Sequence, residues 1–326
     1  MKMTVLAAGA WGTALAIAFS ARHPVTLWAR EADLVDDMRQ RRENTRFLPG
    51  FALPPELALE RDLATAVTAA EVIIIATPIA GLRPTAQSLA ALGLKTPLLW
   101  VCKGFEVAAG KLPHEVIAEE LPGISSGMLS GPSFAQEVAA GLPTALALAA
   151  TDRQFARDMT LALHGGNLRL YASNDLIGVE VGGALKNILA IATGICDSLK
   201  LGLNARAALM TRGLAEIARL GVALGAKKDT FLGLSGVGDL ILTCTGDLSR
   251  NRRVGQELAS GKSLQQALAD LGHVAEGVPA TLAAHRLAER LGVDMPITAT
   301  VAAVLEGRVS VRDGIGQLLA RDPAEE

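Results

Sequence analysis

Short, unbroken runs of aliphatic residues alternate with longer stretches of helical spacing through the first half of the chain. The runs are Met3–Leu6, Val25–Trp28, Val72–Ala76, Leu98–Cys102, Gly127–Leu129 and Thr144–Ala149. Apolar positions that are continuous rather than alternating fit strands buried on both faces of a parallel sheet. Helical spacing begins between them near Trp11, Glu31, Ile79 and Pro113. That repetition predicts a doubly wound α/β domain. After residue 175 the texture changes. Val179–Ser198, Arg206–Leu224, Val254–Leu258, Ser263–Leu271, Pro279–Leu291, Ile297–Leu305 and Val311–Leu319 all carry helical spacing, punctuated by Gly and Pro. The expected organisation is an α/β domain over 1–175 and an all-α domain over 176–326.

Composition narrows the function classes. The 326 residues are 50% apolar and 20% charged, with 31 basic against 33 acidic side chains and a net charge of −2. This balance gives no electrostatic case for nucleic acid or an anionic membrane surface. An aromatic content of 3% also argues against base-stacking platforms. Cys102, Cys196 and Cys244 form no C-x-x-C pair, and the histidines at 23, 114, 164, 273 and 285 show no ligand spacing. Neither a disulfide framework nor a metal site is expected, and a reducing cytoplasm fits best. Lys2 followed by Val5–Phe19 and Ser20-Ala21 imitates a secretory leader, but Gly9 and Gly12 interrupt it as a nucleotide-binding turn requires. No uninterrupted apolar run approaches the roughly 18 residues of a membrane span.

The chemistry concentrates at a few places. Ala7-Ala8-Gly9-Ala10-Trp11-Gly12 lies between the first strand and a helix. It keeps the second and third glycines of the dinucleotide-binding pattern, with Ala7 in place of the first. The second glycine admits a pyrophosphate to the backbone, the third admits close helix packing, and the helix N-terminus offers N–H groups to the phosphates. A merely close-packed Ala/Gly turn is the alternative. Arg30 and Glu31 end the second strand, where an arginine can meet a 2′-phosphate; Arg30 is therefore expected to tolerate or favour NADPH, the alternative being a solvated side chain. Lys103-Gly104 and Gly131-Pro132-Ser133 each follow a strand, at the edge where α/β ligands bind.

In the second half, Lys186 has Gly182, Gly183, Leu189 and Ala190 as helical neighbours, none of them a carboxylate. A lysine desolvated on such a face is a candidate acid–base group, against the plainer reading of an exposed lysine at a helix boundary. Asp239 is a single acid among apolar residues, placed to orient a cation. Ser249-Arg250-Asn251-Arg252-Arg253 opens a helix, with Ser249 its N-cap and arginine at an anion-binding end. For Arg252 and Arg253 a solvated basic turn is the expected role. Gly261-Lys262-Ser263 imitates a phosphate loop but follows a helix and lacks the spacing.

Taken together, A-G-A-W-G-T-A-L-A at 8–16, C-K-G at 102–104, S-G-P-S-F-A at 130–135, G-G-A-L-K-N at 182–187, N-A-R-A-A-L-M-T-R-G at 204–213, G-V-G-D-L-I-L-T-C-T at 236–245 and S-R-N-R-R at 249–253 resemble bacterial NAD(P)-dependent glycerol-3-phosphate dehydrogenases. The resemblance implies a Rossmann-type N-terminal domain and an all-α C-terminal domain for substrate binding and dimerisation. It implies reduction of dihydroxyacetone phosphate to sn-glycerol 3-phosphate with NADPH or NADH, for glycerophospholipid synthesis. By the same resemblance, Lys186 is the general acid, with Lys103 and Asp239 also catalytic. Gly131, Ser133, Ser249, Arg250 and Asn251 complete the substrate site. Gly9, Ala10, Trp11, Gly12, Arg30, Lys103, Ala135, Arg250, Val274 and Glu276 meet the cofactor, and the protein is a cytoplasmic homodimer. Ala7 and Ala10 depart from the family's usual glycine and serine. A related β-hydroxy-acid reductase, a cofactor-binding sensor without turnover and, third, an exported protein bearing a signal peptide are the rival readings.

Overall fold

The computed structural model describes residues 1–271 and 275–320. It divides into two compact units: Met1–Lys103 with Lys111–Val179, and Gly104–Gly110 with the chain from Glu180 onward. The first unit runs β1 (Met3–Leu6), α1 (Ala10–Ser20), β2 (Val25–Trp28), α2 (Ala32–Arg41), β3 (Glu43–Asn44), β4 (Leu48–Ala52), β5 (Ala58–Glu60), α3 (Leu63–Thr68), β6 (Val72–Ile75) and α4 (Ile79–Ala91). It continues through β7 (Leu98–Trp100), α5 (Pro113–Glu120), β8 (Ser126–Ser130), α6 (Ala135–Ala139), β9 (Thr144–Ala150), α7 (Arg153–Leu163) and β10 (Leu168–Ser173).

Eight strands form one sheet in the order β10-β9-β8-β7-β6-β1-β2-β5, and β3 and β4 form a separate hairpin. β1 lies between β2 and β6, parallel to both. The chain therefore leaves β1 in one direction and later returns on its other side, the topological switch point beside which α/β folds bind ligands. One pairing breaks the expected parallel pattern: β8 and β9 run antiparallel, Gly127 opposite Ala150 and Ser130 opposite Ala147. Both are sealed within the sheet, and an apolar run reports burial rather than strand direction. Residues 5–19, the stretch that imitates a leader, fold into β1, the glycine turn and α1, with Val5, Leu15 and Phe19 fully buried.

α8 (Leu176–Ser198) begins in the first unit and from Glu180 belongs to the second, which also contains α9 (Leu203–Ala223), a 3-10 turn (Lys228–Leu232), a π-helical turn (Leu234–Gly238) and α10 (Asp239–Thr245). α11 (Arg250–Ala259), α12 (Leu264–Leu271), α13 (Gly277–Leu291), α14 (Pro296–Leu305) and α15 (Val311–Leu319) follow. α8 is long and apolar enough to cross a membrane, yet 94% of its apolar window is buried within the protein, as befits a core helix. Its first residues Leu176 and Val179 pack into the core of the first unit's sheet. α8 and α11 approach backbone to backbone: a Cβ on Gly194 would overlap the Arg252 carbonyl, and one on Gly255 the Ile191 carbonyl. Cys102, Cys196 and Cys244 are all buried and reduced.

Glu216 on α9 is buried and caps α14. Its carboxylate accepts from the Ile297 and Thr298 N–H groups at 2.6 and 3.1 Å and from the Thr298 hydroxyl at 3.1 Å. Burial pushes this carboxyl above its ordinary range, against the opposing pull of those donors. Glu216→Gln turns one acceptor into a donor facing donors and should lower unfolding free energy at neutral pH by roughly 1–3 kcal/mol. Between the ordinary value and the raised one, the native state binds more proton than the unfolded state. Stability of the wild type therefore declines as pH rises through that interval, and the variant lacks this slope. Urea unfolding across pH checks both.

Candidate functional site

In the first unit the site is built around residues 7–12. Ala7 donates its N–H to the Trp28 carbonyl at 2.9 Å, which ties the turn to the end of β2. Its φ of 90° is in the left-handed region that favours glycine, so the residue replacing the first glycine is held under strain. Gly12 cannot carry a side chain, because a Cβ there would overlap the Ala7 carbonyl. Gly9 differs. It is the N-cap of α1 with φ −69°, and nothing lies within 4 Å of where its Cβ would project. Open space before a helix N-terminus whose first N–H groups have no intrahelical partner suits an anionic phosphate.

Around this turn, α6 packs on α1, and Ala10, Trp11 and Ala135 lie against one apolar core. Arg30, just beyond β2, is 84% exposed at its side chain and pairs with Glu31 at 3.0 Å. Past β7, the Lys103 ammonium lies 3.5 Å from the Gly131 carbonyl, which also accepts from the Ser133 hydroxyl at 3.0 Å. Gly131 has φ 147° and sits close above Ala145 and Leu146, a place no other residue fits comfortably. Three of the expected residues thus converge on one carbonyl.

In the second unit Lys186 is buried, with 7% of its surface exposed, and Asp239 is fully buried. The lysine ammonium donates to Asp239 Oδ1 and, at 2.8 Å, to Thr243 Oγ1. The Thr243 hydroxyl donates a hydrogen bond to the Asp239 backbone carbonyl at 2.6 Å. An ammonium held by a carboxylate and a hydroxyl is fixed in direction. Removing either charge leaves the other buried without its partner. Sequence reasoning assigned no role to Thr243, although its place four residues after Asp239 on α10 puts both on one helical face.

Ser249 caps α11, accepting from the Arg252 N–H at 3.3 Å. Asn251 Oδ1 accepts from the Gly277 N–H at 2.9 Å, and a Cβ on Gly277 would press on both Asn251 and the Asn187 carbonyl. Glu276 precedes that contact at the N-cap of α13. Arg250 is exposed at the helix start. The solvated role expected of Arg252 does not hold. Its guanidinium is largely buried and pairs with Asp197 at 2.8 Å and Asp247 at 3.0 Å, while Arg206 meets the other side of Asp197 at 3.2 Å. Arg253 is exposed as expected. Gly261 ends α11 with φ 96°, a helix terminus and no phosphate loop. Val274 lies outside the described residues.

Residues 2–156 match the model of the NAD-dependent glycerol-3-phosphate dehydrogenase N-terminus, and 175–316 that of its C-terminus. The chain is 64% identical over its whole length to 99% of "Glycerol-3-phosphate dehydrogenase [NAD(P)+]" from Dechloromonas aromatica. It is 56% identical, over all of both chains, to the protein of the same name from Aromatoleum aromaticum. The crystal structure of glycerol-3-phosphate dehydrogenase from Coxiella burnetii superposes with a TM-score of 0.94 at 42% identity, covering 98% of this chain and 99% of that one.

The strain at Ala7 yields a direct expectation. Ala7→Gly removes a penalty that exceeds the extra chain entropy of glycine and should raise unfolding free energy by about 1 kcal/mol. Denaturant melts of the two proteins check it.

Proposed function

We propose a division of labour among the residues of this chain, which belongs to the family of NAD-dependent glycerol-3-phosphate dehydrogenases. The reaction is reduction of dihydroxyacetone phosphate to sn-glycerol 3-phosphate with NADPH or NADH, a step that feeds glycerophospholipid synthesis. The observation that carries the assignment is the buried Lys186 ammonium held by Asp239 and Thr243. Residues 1–175 form the dinucleotide-binding domain and 176–326 the helical domain for substrate and dimerisation, with some side chains of each also meeting the other's ligand.

The residues about the turn fit the cofactor: open space at Gly9, the free end of α1, and Arg30 in reach of solvent at the end of β2. Gly9, Ala10, Trp11 and Gly12 take the pyrophosphate, and Ala135, Val274 and Glu276 are further cofactor positions. When bound, the nicotinamide supplies the hydride that reduces the ketone carbon. Lys186 stabilises the negative charge growing on the ketone oxygen and gives that oxygen its proton, so that the carbonyl becomes a hydroxyl. Asp239 and Thr243 keep the ammonium pointed and charged until that transfer. Arg250 and the capped start of α11, with Ser249 and Asn251, hold the substrate phosphate, a remote grip that fixes the carbonyl for reaction. Lys103, Gly131 and Ser133 complete the substrate's surroundings, Lys103 and Arg250 also contacting cofactor. The chain acts in the cytoplasm as a homodimer. Exposed Leu203, Leu232 and Ile241 on the second unit support an apolar contact there, and a monomeric mass by light scattering would remove this part of the reading.

The decisive experiment follows loss of reduced-nicotinamide absorbance with dihydroxyacetone phosphate, with NADPH and NADH in parallel. Oxidation should be fast and should vanish with unphosphorylated dihydroxyacetone; cofactor binding without turnover would favour a sensor. In the same assay Arg30→Ala should shift the NADPH/NADH preference toward NADH, and an unchanged ratio removes Arg30 from cofactor choice. Lys186→Ala should still bind cofactor but lose about 10²–10⁴ in kcat; a wild-type kcat refutes its role.

A further inference from the structure

The β3–β4 hairpin contributes one fully buried polar side chain, Asn44, and that side chain reaches the nucleotide-binding turn. Its Nδ2 donates to the Ala8 carbonyl and to Thr13 Oγ1, each at 2.8 Å. Its Oδ1 accepts from the Phe47 N–H at 3.1 Å. These partners fix which way the amide faces, since a carbonyl can only accept and an N–H can only donate. The hairpin is anchored in turn. Glu43 accepts from the Gly50 N–H at 2.8 Å, the Arg42 guanidinium binds the Pro54 and Leu57 carbonyls, and Phe47 and Phe51 pack on the same core as Ala10 and Trp11.

Ala8 and Thr13 bracket the turn. Thr13 closes the first helical hydrogen bond onto the Gly9 carbonyl at 2.9 Å, so Asn44 grips the backbone before Gly9 and the helix just after it. A trans peptide points its C=O and N–H in opposite directions. Holding the Ala8 carbonyl toward Asn44 therefore turns the Gly9 N–H to the opposite side. The segment has reason to need this hold, because Ala7 is strained where glycine would rest easily.

We infer that Asn44 is a positioning residue for the cofactor's pyrophosphate, acting by locking the Ala8–Gly9 peptide so that the donors of the turn are preset before binding. The inference rests on the reading of residues 9–12 as the pyrophosphate site. Preset donors bind without an ordering cost, so loss of the lock should appear as lost affinity for the phosphates and not as lost chemistry.

The test measures affinities for NADH, ADP-ribose and adenosine in wild type, Asn44→Ala, Asn44→Asp, Thr13→Val and Gly9→Ala, with steady-state kinetics alongside. Asn44→Asp keeps the shape and the Phe47 bond but trades the donors for an acceptor and a charge; it stands in if Asn44→Ala does not fold, with binding read across salt concentrations so that charge repulsion of the phosphates is screened out. Both Asn44 variants should weaken NADH and ADP-ribose by about tenfold or more, leave adenosine unchanged, and raise the KM for NADH more than they lower kcat. Thr13→Val, which spares the Ala8 bond, should stay within about twofold of wild type. Wild-type affinity for ADP-ribose in the Asn44 variants, or equal weakening of adenosine, overturns the inference. Gly9→Ala fits the fold and obstructs only a ligand. If it weakens ADP-ribose while the Asn44 variants do not, Asn44 alone is at fault; if neither does, the turn is not the pyrophosphate site and both readings fall.

Discussion

A lysine and an aspartate buried against each other, Lys186 and Asp239, impose the strictest condition on the second unit. Neither charge is tolerable in a protein interior without the other, so the backbone must deliver them from residues 53 apart in the chain to hydrogen-bonding distance. Glycines make the delivery possible. A Cβ on Gly182 would overlap the Ser235 carbonyl, so α8 and the π-helical turn before α10 meet without a side chain between them, and one on Gly236 would overlap the Phe231 carbonyl, so that turn also folds tightly on the 3-10 turn before it. Gly236 itself has φ −99° and ψ −106°, a break in the helical path that lets Asp239 begin a new helix. π-type irregularities of this sort recur at functional sites because they redirect a side chain at little structural cost.

The start of α11 is held just as firmly. Arg250 is exposed and available, whereas Arg252, two residues later, is bound by Asp197 and Asp247. Two arginines of one basic run thus take different physical roles: one reaches outward, and one fastens the helix that carries it to α8. Close backbone approach at Gly194 and Gly255 also holds the two helices together. Precise placement of the helix start follows from a packed and ion-paired base.

Much of this was legible in the sequence, and the remainder failed for identifiable reasons. Strands β1 and β6 are buried at every position and β2 at every second one, and the aliphatic pattern finds all three. Lys186 stands out because no carboxylate sits at helical spacing from it; its partner comes from another helix. The family motifs supplied the order in which these pieces belong together. What pattern could not reveal is direction and direct contact. The antiparallel β9 reads like its parallel neighbours. β10 alternates buried Leu168 and Leu170 with exposed Arg169 and Tyr171, a signal present but short. Arg252 looks solvated until Asp197, 55 residues earlier, is seen beside it. Asn44 lies in an unremarked polar stretch, and only tertiary structure brings it to the glycine turn.

The three cysteines carry a consequence of their own. Each thiol is enclosed, and burial pushes Cys244 up to about 12. Since the thiolate is the reactive species, an intact molecule presents almost no nucleophilic sulfur to oxidants or alkylating reagents. Cys102 belongs to the first unit, Cys196 and Cys244 to the second. Reaction at sulfur therefore requires a unit to open, and the position modified records which one did. The protein carries its own site-resolved gauge of breathing motions.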